Sequence, residues 1–359
     1  MGTDDPLSRN RIPYLDGLRG YSIITVVVLH TLGHTRVPGW LVPVDMLFGI
    51  GGLGVHIFFT LSGFLITTLL LNEWDRTGTI SLRGFYERRV ARIFPAAYGY
   101  ILFVAILNAT GMLHLPWYGF ATASLFCWNY GTLLNLSPHS YKGVFDHFWS
   151  LSLEEQFYLF WPGCLVLLGK INAKRLAWVM VITLPFLRLA SYMLFPKSRE
   201  QLGGMFHTYA DVILWGSLAA FAYQEGVHIR WSKNRWFGWI TLGYSILTIF
   251  IFSEVGPRVP GVGRFAVPTI YPTFAALLIL WLLSGQGGIV RAILEWKILR
   301  WIGVLSYSLY VWQQIFLVEE SPLRTFFPID IGIALIAACI SYYFVEAPLR
   351  QRIRNIFNQ

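Results

Sequence analysis

Arg19 and His30 stand eleven residues apart in the apolar stretch 14–34. Eleven residues make close to three helical turns, so a helix here carries both on one face, roughly 16 Å apart along the axis. Asp16 precedes Arg19 by one turn, within reach of a side-chain pair. An imidazole kept from water stays in the neutral form that can accept a proton, which makes His30 a candidate general base. Charged groups inside an apolar segment are expensive and mark functional sites by default. The plainer readings are a headgroup-anchoring Asp16–Arg19 pair and a packed core histidine.

Two further stretches carry chemistry. In ERRVARIFP, residues 87–95, Arg89 and Arg92 lie one turn apart with Arg88 beside them, and guanidinium forks suit phosphate oxygens. These arginines are expected in a loop of five basic residues, more than topology alone requires. In HFWSLSLEEQFYLFWP, His147 and Trp149 precede Glu154, Glu155, Gln156 and Tyr158. Glu154 and Tyr158 share a helix face at i, i+4. Two adjacent carboxylates this close to hydrocarbon require that at least one meet protein or water. The segment GIGGLGVHIFFTLSGFLI adds glycines suited to close helix approach and Ser62, six residues from His56 and off its face. A Ser62 hydroxyl bonded back to its own helix is the simplest expectation there. Asp211, Tyr310, Gln313 and Glu346 are weaker candidates, each standing alone in an apolar run.

The elements that position these groups follow from composition. Hydrophobic residues make up 55% of 359 and charged residues 13%, with a mean hydropathy of +0.54, whereas soluble domains carry roughly 25% charged residues. The fold class is therefore all-α, a polytopic membrane protein. About ten spans are predicted, near 14–34, 47–71, 94–110, 148–169, 176–195, 206–223, 236–253, 268–285, 301–318 and 328–345. With both termini cytoplasmic, nineteen of the 28 Lys and Arg residues fall on inner segments and seven on outer ones, as the positive-inside bias demands. The same surplus explains the net charge of +9 without nucleic acid, for which no binding motif is present. The first apolar stretch comes after several charges and lacks a small-residue cleavage site, so it reads as a retained helix. One membrane domain spanning 1–359 is expected, with no additional soluble domain. Cys127, Cys164 and Cys339 form no paired motif, and His30 with His34 lacks the third ligand a metal site needs, so no metal is expected. The stretch 111–148 is rich in Trp, Tyr and Phe among Asn and Ser, which suits either an interfacial belt or the faces of a sugar.

The ordered set RIPYLDGLRGYSIITVVVLH, GVHIFFTLSGFLI, RRVARIFP, HFWSLSLEEQFY, ADVILWGSLAA, SYSLYVWQ and VEAPLR, from about residue 11 to 350, resembles the acyltransferase-3 family of integral membrane O-acyltransferases. The resemblance implies transfer of an acyl group, commonly acetyl, from cytoplasmic acyl-coenzyme A to a hydroxyl of an extracytoplasmic carbohydrate such as a surface polysaccharide or lipid-linked glycan. A small glycosylated product or a lipid is the alternative acceptor. It implies a multi-pass protein of the cell membrane, in bacteria the inner membrane, with acyl-coenzyme A as donor substrate and no tightly bound cofactor. By motif position, the family's first-helix Arg and His fall on Arg19 and His30, its RxxR pair on Arg89 and Arg92, and its carboxylate on Glu154. The combined expectation makes His30, Glu154 and Asp16 catalytic, gives Arg19, Arg89, Arg92 and Arg88 the donor phosphates, and lines the acceptor side with Trp149, Tyr158, Glu155 and Ser62. The family run SYSLYLWH usually ends in His, where this chain has Gln313. A transporter of acyl groups or solutes would use the same buried charges as a pathway, but the matched repeats it calls for are not visible.

Overall fold

The computed structural model describes residues 12–34, 51–131, 143–195, 204–232, 236, 240–241, 243–244, 262–319 and 321–357. Regular structure among them is entirely helical. This is what hydrocarbon requires, because a helix satisfies its own backbone donors and acceptors. The helices are α1 (Pro13–His34), α2 (Gly51–Thr77), α3 (Leu82–Ala109), α4 (Trp117–Ser124), α5 (Phe148–Leu194), α6 (Phe206–Tyr209) and α7 (Asp211–Gln224). They continue with α8 (Val227–Ser232), α9 (Val262–Leu283), α10 (Gly288–Leu294), α11 (Lys297–Leu317) and α12 (Ile329–Ile340). A π-helical turn, Ser341–Glu346, then leads into α13 (Ala347–Phe357).

Four described helices are long and apolar enough to cross a bilayer: Gly52–Thr77, Leu82–Ala109, Phe148–Leu194 and Ile329–Arg352. The pair Val267–Leu283 and Gly288–Leu294, bent by 97°, makes a fifth when it is counted as one span. The predicted span 236–253 lies largely outside the described residues. The 47 residues of α5 hold two of the predicted spans in series, since about 20 residues suffice for one crossing. They meet at a kink at Gly169, whose φ of 71° and ψ of 169° lie where a side chain is strained. Lys170 and Lys174, just past the kink, pair with Asp75 and Glu225.

α2 is the central helix, with 72% of its apolar window buried against 28% for that of α5. It packs against α1, α5, α7 and α9. Glycine permits the tightest of these crossings. A methyl group on Gly63 would collide with the Ile213 carbonyl of α7, and one on Gly216 with the Thr60 carbonyl of α2. The α1–α11 crossing works the same way, Gly303 lying against the Asp16 carbonyl and Gly20 against that of Leu299. Small residues let helices approach closely where lipid offers no hydrophobic drive for association. Leu167, Ile171, Phe186 and Met193 of α5 are exposed, as lipid-facing side chains should be.

One expectation is corrected here. The arginine-rich segment is not a loop: Arg83 to Arg92 belong to α3, which begins twelve residues before the predicted span at 94. Ser81 caps it, its Oγ accepting from the Gly84 N–H at 3.2 Å, as serine at an N-cap position does. Pro95 cannot donate to the Ala91 carbonyl, yet the helix continues to Ala109. Its first turns therefore carry the arginines on a rigid rod instead of a flexible connection.

Candidate active site

Five helices converge on one pocket. Arg19 comes from α1, Ser62 from α2, Arg89 and Arg92 from α3, Glu154, Glu155 and Tyr158 from α5, and Tyr307 and Tyr310 from α11. Helical spacing explains each pairing: Arg89 with Arg92 and Glu154 with Tyr158 each lie one turn apart and face the same way. Phe58 and Phe59 of α2 and Leu151 of α5 complete an apolar wall.

The charges in this pocket are gathered but not cancelled. Glu154 lies within electrostatic reach of Arg19, Arg89 and Arg92. None of these arginines closes an ion pair within 4 Å among the described residues; their nearest contacts are softer. Arg89 lies over the Tyr158 ring at 4.9 Å and over Phe85 at 5.6 Å. The Nε of Arg19 is buried without a hydrogen-bond partner among the described residues. Ser62 is a correction to the expected back-bonding: its hydroxyl donates to Glu154 Oε1 at 2.6 Å, fixing the carboxylate from the neighbouring helix. Three guanidinium groups on three separate turns of two helices can accept an anion with several phosphate oxygens. Both Glu154 and Glu155 line the pocket, so the helix does not choose between them.

At the other end of the pocket, Ser150 Oγ and the Tyr310 hydroxyl meet at 2.5 Å. Each hydroxyl is also within reach of the His147 carbonyl, at 3.0 and 3.3 Å. The His147 ring is 2% exposed and packed edgewise among Tyr100, Phe148 and Tyr310, with centroids 5.3, 4.9 and 5.7 Å away. Neither of its nitrogens makes a hydrogen bond of standard geometry among the described residues; its electrostatic neighbours are the Val311 backbone and His30. His30 itself does not line the pocket. It lies near His147, the residue whose carbonyl the Ser150 and Tyr310 hydroxyls reach. Gln313 is fully buried, and neither atom of its amide has a hydrogen-bond partner among the described residues.

Other sequence candidates fall elsewhere. Arg88 points away from the pocket and meets Glu73 at 3.4 Å on an exposed face. Asp16 acts electrostatically on Arg19 but closes no ion pair with it within 4 Å, and its backbone forms the α1–α11 crossing. Trp149 is outside the pocket, packed on Phe59 and Tyr209 at 5.7 and 6.2 Å. His56 is structural: Nδ1 meets the Gly52 carbonyl at 2.5 Å and Nε2 the Tyr209 hydroxyl at 2.9 Å. Arg188 and Asp211, which no sequence motif singled out as a pair, form a buried ion pair at 2.6 Å. His147, Tyr310 and Ser150 were the site residues hardest to read, since only a fold spanning 160 positions brings Ser150 to Tyr310.

A family model described as an acyltransferase domain, that of acyltransferase-3, matches residues 12–345. The peptidoglycan O-acetyltransferase OatA of Listeria monocytogenes is 28% identical over 96% of this chain and 56% of its own length. The Bacillus subtilis protein YrhL, provisionally named a peptidoglycan O-acetyltransferase, is 27% identical over 94% of this chain and 55% of its own. The chain thus spans little more than half the length of these relatives. No solved structure matches it. With the family model matching residues 12–345, the chain belongs to the acyltransferase-3 family.

Proposed function

We propose that this protein is a membrane O-acyltransferase that carries an acetyl group from acetyl-coenzyme A, bound at the cytoplasmic side, to a hydroxyl of an extracytoplasmic carbohydrate, with peptidoglycan the acceptor class that its relatives' names suggest. In this reading about ten spans place both termini inside. The observation that carries it is the convergence of Arg19, Arg89 and Arg92 on a pocket whose carboxylate, Glu154, is already held by Ser62. An open cluster of cations at one pocket suits a donor that joins phosphates to a long, slender arm.

Arg89 and Arg92 bind the donor's phosphates, and Arg19 extends the positive field inward. The thioester end then points toward Ser150 and Tyr310, whose mutual hydrogen bond has to open for the acetyl group to reach His30. There the acceptor hydroxyl gives its proton to His30 as its oxygen attacks the carbonyl carbon. The new C–O ester bond forms, the C–S bond breaks, and the thiolate takes a proton to leave as coenzyme A. General-base catalysis of this kind contributes about 10²–10⁴-fold.

The test is incubation of the purified protein in lipid nanodiscs with acetyl-labelled acetyl-coenzyme A and peptidoglycan glycan fragments. Label appearing in the glycan as an alkali-labile ester, and lost in His30→Ala while coenzyme A still binds, is the expected result. Flux of label across a vesicle membrane with no ester formed would replace the enzyme with a transporter. Full activity in His30→Ala would remove the imidazole from the chemistry.

A further inference from the structure

The amide of Gln313 is buried in the bundle, and among the described residues neither its oxygen nor its nitrogen has a hydrogen-bond partner. A buried amide left unpaired costs stability, and native proteins keep few such groups. A leucine would fill the same place without that cost. Glutamine neither gains nor loses a proton near neutral pH, so whatever this side chain contributes is hydrogen bonding.

The packing of α11 places this amide. The Tyr307 hydroxyl donates to the Ile93 carbonyl at 2.9 Å, beside Arg92, and Tyr310 meets Ser150 at 2.5 Å at the other end of the pocket. From Tyr307 to Tyr310 the helix thus runs away from the arginines, and Gln313 lies one turn beyond, about 4.5 Å further along the axis. Ser306 lines the pocket seven residues earlier, and seven residues are close to two full turns, so the two share a face. On α5, Tyr158 lies under Arg89, and the eight residues from there to Ser150 rise about 12 Å. The amide therefore stands roughly 16 Å from the arginines, the same reach as Arg19 to His30 along α1. α1 and α11 advance together: Tyr14 lies under Arg291, just before α11, at 4.6 Å, and further along Gly20 and Gly303 are set against each other's helices. No described pair of helices packs more extensively. His30 and Gln313 each follow their glycine by ten residues, His30 on the face of Arg19 and Gln313 on that of Ser306. The proposed general base and the unpaired amide share one height, beyond the Ser150–Tyr310 contact.

We propose that Gln313 is a second catalytic residue, its side-chain N–H donating to the carbonyl oxygen of the acyl group while His30 takes the acceptor's proton. The assignment rests on the donor reading above. As the acceptor oxygen bonds to the carbonyl carbon, the π pair of the C=O bond moves onto the carbonyl oxygen, and the amide N–H stabilises the negative charge that develops there. The pair then returns, the C–S bond breaks, and the thiolate takes the proton from His30 to leave as coenzyme A. A fixed donor contributes most where charge develops away from water. The amide gains its partner when the acyl group arrives.

The test uses Gln313→Leu and Gln313→His, purified in nanodiscs. With peptidoglycan glycan fragments as acceptor, Gln313→Leu should lower kcat by about 10²–10³-fold, the loss typical of one oxyanion donor, while coenzyme A binds as it does to wild type. Gln313→His keeps an N–H donor and should recover much of that loss. The unfolding temperature of Gln313→Leu should equal or exceed that of wild type, because an apolar group replaces an unpaired amide. A clear fall in it would make the residue structural and overturn the proposal, as would an unchanged kcat. A second arm needs no acceptor: the infrared stretch of carbonyl-labelled acetyl-coenzyme A, bound to the protein, should lie lower in wild type than in Gln313→Leu, since a hydrogen bond to the oxygen weakens the C=O bond. The same stretch in both refutes the role of Gln313 and leaves the donor reading standing. If wild type binds no acetyl-coenzyme A, both fall.

Discussion

Two clusters in this molecule are built from the same kinds of residue and do opposite things with them. Arg188 and Asp211 close on each other at 2.6 Å with 1% and 0% exposure, and the arginine also donates to the Thr208 carbonyl at 2.8 Å and covers the Tyr209 ring. Arg19, Arg89 and Arg92 share a pocket with Glu154 and Glu155 yet close no ion pair there within 4 Å among the described residues. The closed pair joins α5 to α7, although Arg188 Nη1 and Asp211 Oδ2 are buried without a hydrogen-bond partner among the described residues. Charges that are collected but held apart keep their field for a ligand. The two clusters sit differently among the helices: α5 and α7 pack directly on each other where the pair closes, whereas residues of five helices line the pocket.

The largest expected effect lies in the closed pair. Removing one partner, as Asp211→Asn or Arg188→Met, leaves an uncompensated buried group and should cost about 3–5 kcal/mol. The cost is read as a lower unfolding temperature in detergent, and the double apolar variant Arg188→Met with Asp211→Leu should recover part of it. If either single change is silent, the pair does not anchor these helices.

In the open cluster the order reverses, with binding lost and stability kept. Arg89→Ala with Arg92→Ala should weaken coenzyme A binding by about 10–100-fold, each lost charge-assisted contact being worth about 1.5–3 kcal/mol before compensation. Their unfolding temperature should change little. Calorimetry against coenzyme A checks this, and an affinity equal to wild type would show that these cations serve something else.

Ser62→Ala removes one hydrogen bond to a carboxylate that three arginines still face, so transfer should fall only about tenfold. A steady-state rate equal to that of wild type would mean that Glu154 needs no such hold. The smallest effect belongs to Arg88. Its pairing with Glu73 is solvent-exposed and worth about 1 kcal/mol or less, so Arg88→Ala should alter donor affinity less than threefold. A loss as large as that of Arg89→Ala would extend the pocket to the exposed face of α3.

Much of the site was legible because helical spacing is local. Arg89 with Arg92 and Glu154 with Tyr158 had to share faces once their segments were helical, and both pairs line the pocket. The pairings across the bundle could not be read that way. Ser62 was expected to bond its own helix and instead holds Glu154, 92 residues away. Arg88 sits beside Arg89 in the chain but a helical step of about 100° turns it outward, onto Glu73. His30 was expected at the thioester, and the structure leaves it outside the pocket that the Ser150–Tyr310 contact bounds.

The amino-acid sequence alone was enough to make this a helical membrane protein of the acyltransferase-3 kind, since apolar length and the order of motifs are properties of the chain read along its length. Which charges are open and which are closed was decided only by the tertiary structure. Whether an arginine meets a carboxylate depends on which helices pack together, and the partners come from segments far apart in sequence, as Ser62 and Glu154 do.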